Sequence, residues 1–305
     1  MAEAHPLSAR TLFDLRGCVA VVTGGGTGIG LMIAQVFAVN GAKVYITGRR
    51  REVLEASAKA HGSPAALGNS GGSLVPLQMD VTSKDSIRRA VEEISKSNDY
   101  DSRLVNNAGI GSGRAAAKPE DGPEVYGKAM FDEDINDWQQ VSLSNNTQIY
   151  FVSAAFVPLL SAAVKSPSHA PGNIINVSSQ SGMTKWSQNS QYAYNCSKAA
   201  ANHLTKMLAY ELITPGISIR VNAICPGYFP SELTYGSSDA TNKTNWPQEE
   251  YDAEMKKVGA NVPTGRPGTD QEMAGAVLVL ATNGYITGTC LAVDGGILLR
   301  HPACV

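Results

Sequence analysis

The segment Thr23-Gly24-Gly25-Gly26-Thr27-Gly28-Ile29-Gly30 constrains the fold of this chain more than any other. It follows a short apolar run, Cys18–Thr23, that reads as a buried strand. Beyond it, Ile29, Met32, Ile33, Val36 and Phe37 recur at helical spacing, so a helix is expected over Ile29–Val39. Glycines permit positive φ and let a backbone approach a ligand closely. The helix start offers unpaired N–H groups and the positive end of a dipole, which together suit a pyrophosphate. A glycine cluster alone also makes ordinary turns; the strand before it and the helix after it give this one its meaning.

The alternation continues to the end of the chain. Strands are expected at Lys43–Thr47, Leu74–Met79, Arg103–Asn106, Asn173–Val177, Ser218–Cys225 and Leu291–Val293. Helices are expected over Arg50–His61, Ser83–Ser97 with Ser83 as N-cap, Asp134–Val164, Gln191–Leu212 and Asp270–Ala281. Polar insertions occupy 62–72 and 111–132, and 228–262 is loop-rich with aromatics. Repeated strand–helix–strand units imply right-handed crossovers and a parallel sheet covered on both faces. With 43% apolar residues, a sizeable core is available. There is no internal repeat and no linker. The expectation is one α/β domain over 1–305, Rossmann-type and doubly wound, with a parallel seven-stranded sheet.

A formal charge of −2 gives no footing for nucleic acid or an anionic membrane. The five cysteines are scattered and form no Cys-x-x-Cys, which argues against a disulfide framework or structural zinc. His5, His61, His169, His203 and His301 are dispersed, so no metal is expected. The apolar stretch Ile149–Val164 is short of the roughly 20 residues of a membrane span and reads as a buried or subunit-facing helix. The first sixteen residues lack the apolar core of a signal peptide. A cytoplasmic protein acting on a small molecule is expected.

The spacing Thr-Gly-x-x-x-Gly-x-Gly resembles that of the short-chain dehydrogenase/reductase family, and the resemblance runs from about Phe13 to Gly296. It implies that Gly24, Thr27, Gly28, Ile29 and Gly30 hold the pyrophosphate of a nicotinamide dinucleotide. At the end of the second strand, NAD enzymes place a carboxylate for the ribose 2′-hydroxyl. Thr47-Gly48-Arg49-Arg50 stands there instead, and a guanidinium fork suits a 2′-phosphate. NADP(H) is therefore expected, with Arg49 at the family's phosphate position and Arg50 as a helper. One departure is Thr27, where many NADP-dependent members carry a basic residue. Asp80-Val81 resembles the pair flanking the adenine, and Asn106-Asn107-Ala108-Gly109 the motif beside the adenosine ribose. Pro226-Gly227-Tyr228-Phe229-Pro230-Ser231 resembles the family's Pro-Gly motif. Pro226, Gly227 and Phe229 are expected at the cofactor, and Ser231 near the nicotinamide carboxamide.

Tyr194 and Lys198 stand at i and i+4, on one face of a helix. A nearby ammonium favours the phenolate and is expected to lower the tyrosine pKa from its reference of about 10. By resemblance, Tyr194 is the general acid/base and Lys198 tunes it and holds the nicotinamide ribose. Ser179 would hold the substrate oxygen as an oxyanion-type donor. Ser181 is its rival, because the stretch up to Tyr194 is slightly longer than usual. Asn145 matches the asparagine that holds a relay water, with Asn146 one residue away.

Residues 192–212 and 225–234 are similar to rhamnolipid-type 3-oxoacyl reductases and to fungal reductases of secondary metabolism. The resemblance implies NADPH-dependent reduction of a ketone on a bulky apolar, acyl or polyketide-like substrate. Within the segment 228–262, read as a substrate lid, lie Tyr228, Phe229, Tyr235, Trp246, Tyr251 and Met255; Met183 and Trp186 stand ahead of Tyr194. They suit a bulky substrate and equally suit packing of the lid onto the domain. An alcohol, polyol or sugar dehydrogenase is the alternative, and a non-catalytic NADP-binding sensor a further one. An intact set of four catalytic residues argues against the sensor. The resemblance implies that the helices Asp134–Val164 and Gln191–Leu212 form subunit contacts, where small residues such as Ala154, Ala155 and Ala199–Ala201 permit close packing, so a homotetramer or homodimer is expected.

Overall fold

A computed structural model describes residues 5–166, 170–301 and 303. His169 and Cys304 lie outside the described residues. The strands are β1 (Val19–Thr23), β2 (Lys43–Gly48), β3 (Ser73–Gln78), β4 (Arg103–Asn106), β5 (Gly172–Val177), β6 (Ile219–Pro226) and β7 (Cys290–Val293). All pair in parallel, in the order β3-β2-β1-β4-β5-β6-β7. The order reverses between β1 and β4, and ligands of open α/β sheets bind at such a switch point.

The helices are α1 (Ala9–Leu12), α2 (Gly28–Val39), α3 (Arg51–His61), α4 (Lys84–Ser95), α5 (Pro123–Phe131), α6 (Ile135–Ser142), α7 (Gln148–Ser161), α8 (Tyr192–Leu212), α9 (Glu232–Tyr235), α10 (Gln248–Val258) and α11 (Asp270–Thr282). Side chains alternate across a strand, and each face is covered. Ala20 and Val22 of β1 pack with Ile33 and Phe37 of α2 and Met273 and Val277 of α11. Val19 and Val21 face the opposite side, against Ile94 of α4, Phe156 and Leu160 of α7 and Ala209 of α8. Ser83 caps α4 by accepting from the Ser86 N–H.

The insertion 111–132 contains α5, which has proline at its start. Proline is preorganised for a first helical turn. The stretch Asp134–Val164 is not one regular helix. It divides into α6, a π-helical turn Leu143–Thr147 and α7, followed by a 3₁₀ turn to Lys165. The combined rod Ile135–Lys165 contains an 18-residue window of mean hydropathy 1.6 and is, by length and composition, long and apolar enough to cross a membrane. Here α7 is a core helix of the sheet.

Candidate active site

The glycine turn is laced to the loop that follows β4. Thr23 Oγ1 accepts from the N–H groups of Asn107 and Ala108, both at 3.0 Å. Asn107 Nδ2 donates to the carbonyls of Thr23 at 2.9 Å and Gly24 at 3.1 Å. This closeness explains the glycines. A Cβ on Gly30 would lie 2.2 Å from the Gly24 carbonyl oxygen, and Gly24 itself has φ +64°. Thr27, the N-cap of α2, makes no side-chain cap. The first N–H groups of α2 are therefore left to whatever occupies the cleft.

That cleft has a volume of about 650 Å³ at the switch point. It is lined by Gly24, Thr27, Gly28, Ile29, Gly30, Arg49, Arg50, Asp80, Val81, Asn107, Ala108, Gly109, Tyr194, Lys198 and Ser231, all expected from the sequence. Glycine backbone, an uncapped helix start and two guanidinium groups fit a phosphorylated dinucleotide. Pro226, Gly227 and Phe229 do not line it. The Phe229 ring is buried in the core cluster of α2 and α11, where a Cβ on Gly268 would lie 2.4 Å from it. Gly227 packs on the chain at β7, with Asp294 Cα 2.8 Å from a would-be Cβ. Close packing holds Gly227 and Phe229 in place.

At the adenosine end, Arg50 pairs with Glu232 at 2.8 Å. The Asp80 carboxyl lies below its usual range: partial burial works against its charge, but hydrogen bonds from Thr82 and the charge of Arg49 outweigh it.

At the other end stand Tyr194 and Lys198, on one face of α8. Lys198 is buried and donates from Nζ to the Val177 carbonyl at 2.9 Å. Its Nζ sits 5.7 Å from the centre of the Tyr194 ring. Burial lowers the Lys198 pKa to about 8. Burial also pushes Tyr194 up to about 12, opposed by a hydrogen bond from Ser179 and reinforced by the nearby Tyr228. The expected lowering of the Tyr194 pKa is not what the site produces: burial disfavours the phenolate, and Lys198, 5.7 Å from the ring centre, is not among the groups that shift it. A phenol in this state keeps its proton at neutral pH and can donate it.

The two paired alternatives are decided by geometry. Ser179 hydrogen-bonds Tyr194, whereas Ser181 accepts from Gln180 and Ser178 donates to the Lys198 carbonyl. Asn145 lies in the π-helical turn beside Lys198: a Cβ on Gly109 would be 2.9 Å from Asn145 Oδ1 and 3.6 Å from Lys198 Nζ. Its amide also donates to Ser197 Oγ at 3.1 Å. Single π turns occur often at functional sites, and this one explains an asparagine pair inside a long helical pattern. Between Ser179 and Tyr194, three successive non-glycine residues have φ near +60°: Gln188 at +55°, Asn189 at +62° and Ser190 at +61°. The longer spacing noted in the sequence is absorbed by this left-handed turn.

Most lid aromatics form a core of their own. Trp246, Tyr251, Met255 and Val258 are buried together, with Tyr228 and Tyr235 against them. Trp186 stacks on His301 at 4.0 Å. Packing is therefore the main role of Trp246, Tyr251 and Met255. Sequence reasoning missed Thr23, Ser197 and Glu232. Thr23 opens the glycine motif and was legible there; Glu232 meets Arg50 across 182 positions, and no local signal marks such a contact.

The model of the short chain dehydrogenase family matches residues 18–242, which contain the glycine turn, Ser179, Tyr194 and Lys198. The chain belongs to the short-chain dehydrogenase family. Within this family of oxidoreductases it is 36% identical to the short-chain dehydrogenase/reductase PhomF of Diaporthe leptostromiformis, over 97% of each chain. It is 32% identical to the rhamnolipids biosynthesis 3-oxoacyl-[acyl-carrier-protein] reductase of Pseudomonas aeruginosa, over 93% of this chain and 97% of that one. Its structure is similar to the Pseudomonas aeruginosa RhlG/NADP active-site complex, with a TM-score of 0.76 and 31% identity, covering 96% of this chain and 99% of that one. The short-chain dehydrogenase fold thus extends over almost the whole chain.

Proposed function

We propose that this short-chain dehydrogenase is an NADPH-dependent reductase of a ketone on a bulky apolar, acyl or polyketide-like substrate. The observation that supports this reading is Tyr194 at the cleft, hydrogen-bonded to Ser179 and kept protonated by burial. Reduction of a carbonyl needs a proton donor at neutral pH, and oxidation of an alcohol needs an acceptor. When bound, the nicotinamide supplies the hydride. Ser179 holds the substrate oxygen beside Tyr194, and Tyr194 delivers the proton to it. Lys198 carries the nearby charge and holds the nicotinamide ribose. Asn145, beside Lys198, links it to solvent through a relay water.

Arg49 and Arg50 stand at the end of β2, where NAD enzymes carry an acid for the ribose 2′-hydroxyl, and they favour the phosphorylated cofactor. The Pseudomonas relatives, one a reductase by name and one an NADP complex, support the same reading. Tyr228, near Tyr194, and Leu233, which lines the cleft against Gly111, give the lid apolar surface for a bulky substrate. Ile135, Tyr150, Met207 and Tyr210 are exposed on α6, α7 and α8, and these helices are proposed as the contacts of a homotetramer or homodimer.

Titration with NADPH and NADH, followed by nicotinamide fluorescence, tests the cofactor. NADPH is expected to bind more tightly, and Arg49→Ala to lose on the order of 1.5–3 kcal/mol of that binding. Bulky ketones are then expected to consume NADPH. Equal or tighter binding of NADH, with turnover of alcohols only, would replace this reading by an NAD-dependent alcohol or polyol dehydrogenase.

A further inference from the structure

The lid crosses the adenosine end of the cleft and is fastened to α3. Arg50, the N-cap of α3, donates from Nη2 to Glu232 Oε2 at 2.8 Å. Glu232 is the first residue of α9, and its other oxygen accepts from Ser238 Oγ at 2.9 Å. Farther along, Asn242 Nδ2 donates to Ser57 Oγ at 2.8 Å and to the Val53 carbonyl at 3.1 Å. Ser57, itself fully buried, donates to the Gly26 carbonyl at 2.6 Å. His61 Nε2 contacts the Thr241 carbonyl at 2.7 Å. Hydrogen bonds therefore run from the lid through α3 to the glycine turn.

We infer that Glu232 of the lid helps to determine cofactor choice, because it rivals the cofactor's 2′-phosphate for Arg50. The inference rests on the reading of Arg49 and Arg50 as the phosphate site. Arg50 and Glu232 both line the cleft. Hydrogen bonds from Arg50 and Ser238 outweigh partial burial and hold the Glu232 carboxyl below its usual range, so it is an anion at neutral pH. The side chains are 55% and 31% exposed, so the pair is screened and can exchange. A phosphate near −2 charge with three acceptor oxygens is the stronger partner for a guanidinium. It also repels a carboxylate left beside it. A ribose 2′-hydroxyl has no such claim and leaves the pair in place. The lid then carries one more tie with NADH than with NADPH.

The test compares wild type, Glu232→Gln, Arg50→Ala and the double variant by fluorescence titration with NADPH and NADH. Glu232→Gln is expected to tighten NADPH by about three- to tenfold, the size of one half-exposed charge contact. NADH binding is expected to stay within about twofold, since a screened pair contributes little to the lid's hold. The gain should vanish in the Arg50→Ala background. An unchanged NADPH:NADH ratio in Glu232→Gln overturns the inference, as does a parallel loss of both cofactors, which would mark Glu232 as a plain lid fastener. A gain that survives without Arg50 overturns it too. If wild type binds NADH as tightly as NADPH, the reading of the arginine pair fails. The rivalry is still decided by whether Glu232→Gln raises the NADPH:NADH ratio.

Discussion

Asn145 holds Ile110 by both of its backbone groups: Nδ2 donates to the Ile110 carbonyl at 2.9 Å, and Oδ1 accepts from the Ile110 N–H at 2.8 Å. One buried side chain thereby ties the π-helical turn to the loop after β4, where the cofactor cleft begins.

Asn145→Ala leaves the half-buried N–H and carbonyl of Ile110 without this partner, an effect of about 1–3 kcal/mol. Urea unfolding is expected to show that loss. Nicotinamide binding should weaken with it, because Gly109 and Ile110 line the cleft and lose their brace. A variant with unchanged stability would mean that the asparagine braces nothing.

The pH dependence follows from two buried groups. Tyr194 is protonated up to about 12 and Lys198 is charged only up to about 8. The reduction rate is therefore expected to be flat near neutrality and to decline as pH rises through about 8, where Lys198 loses its charge. Stability moves the other way. Between about 8 and the ordinary 10.5, the unfolded chain binds the Lys198 proton and the folded chain does not, so this group's contribution to stability rises with pH across that window. Replacing Lys198 with Met should remove both trends. A pH–rate profile beside a pH series of thermal midpoints checks them together. Tyr194→Phe should lower turnover by about 10²–10⁴-fold while leaving cofactor binding in place.

Glycine replacements separate close approach from simple flexibility. Gly30→Ala forces a Cβ to within 2.2 Å of the Gly24 carbonyl and 2.4 Å of Asn107 Nδ2, so both stability and cofactor binding should fall sharply. Gly127 in α5 has nothing within 4 Å of its would-be Cβ. Gly127→Ala should stabilise by about 0.4–1 kcal/mol by restricting the unfolded chain. Thermal midpoints of the two variants should move in opposite directions.

The glycine turn, the strand–helix alternation and the Tyr194/Lys198 spacing were legible because each depends on neighbours in sequence. Phosphate-binding turns, amphipathic periods and helix faces are local properties of the backbone. The expected strands all formed, and most of the expected cofactor residues gathered in one cleft. What the sequence could not place depends on desolvation and on contacts between distant segments. Burial, which no i+4 spacing contains, set Tyr194 high and Lys198 low. Packing against Gly268 drew Phe229 into the core. The lid's aromatics buried one another, and the lid brought Glu232 to Arg50. The chain by itself determined the fold and the chemical parts; only tertiary structure decided their protonation, their partners and which of them face the cleft, because these depend on how completely the folded chain excludes water.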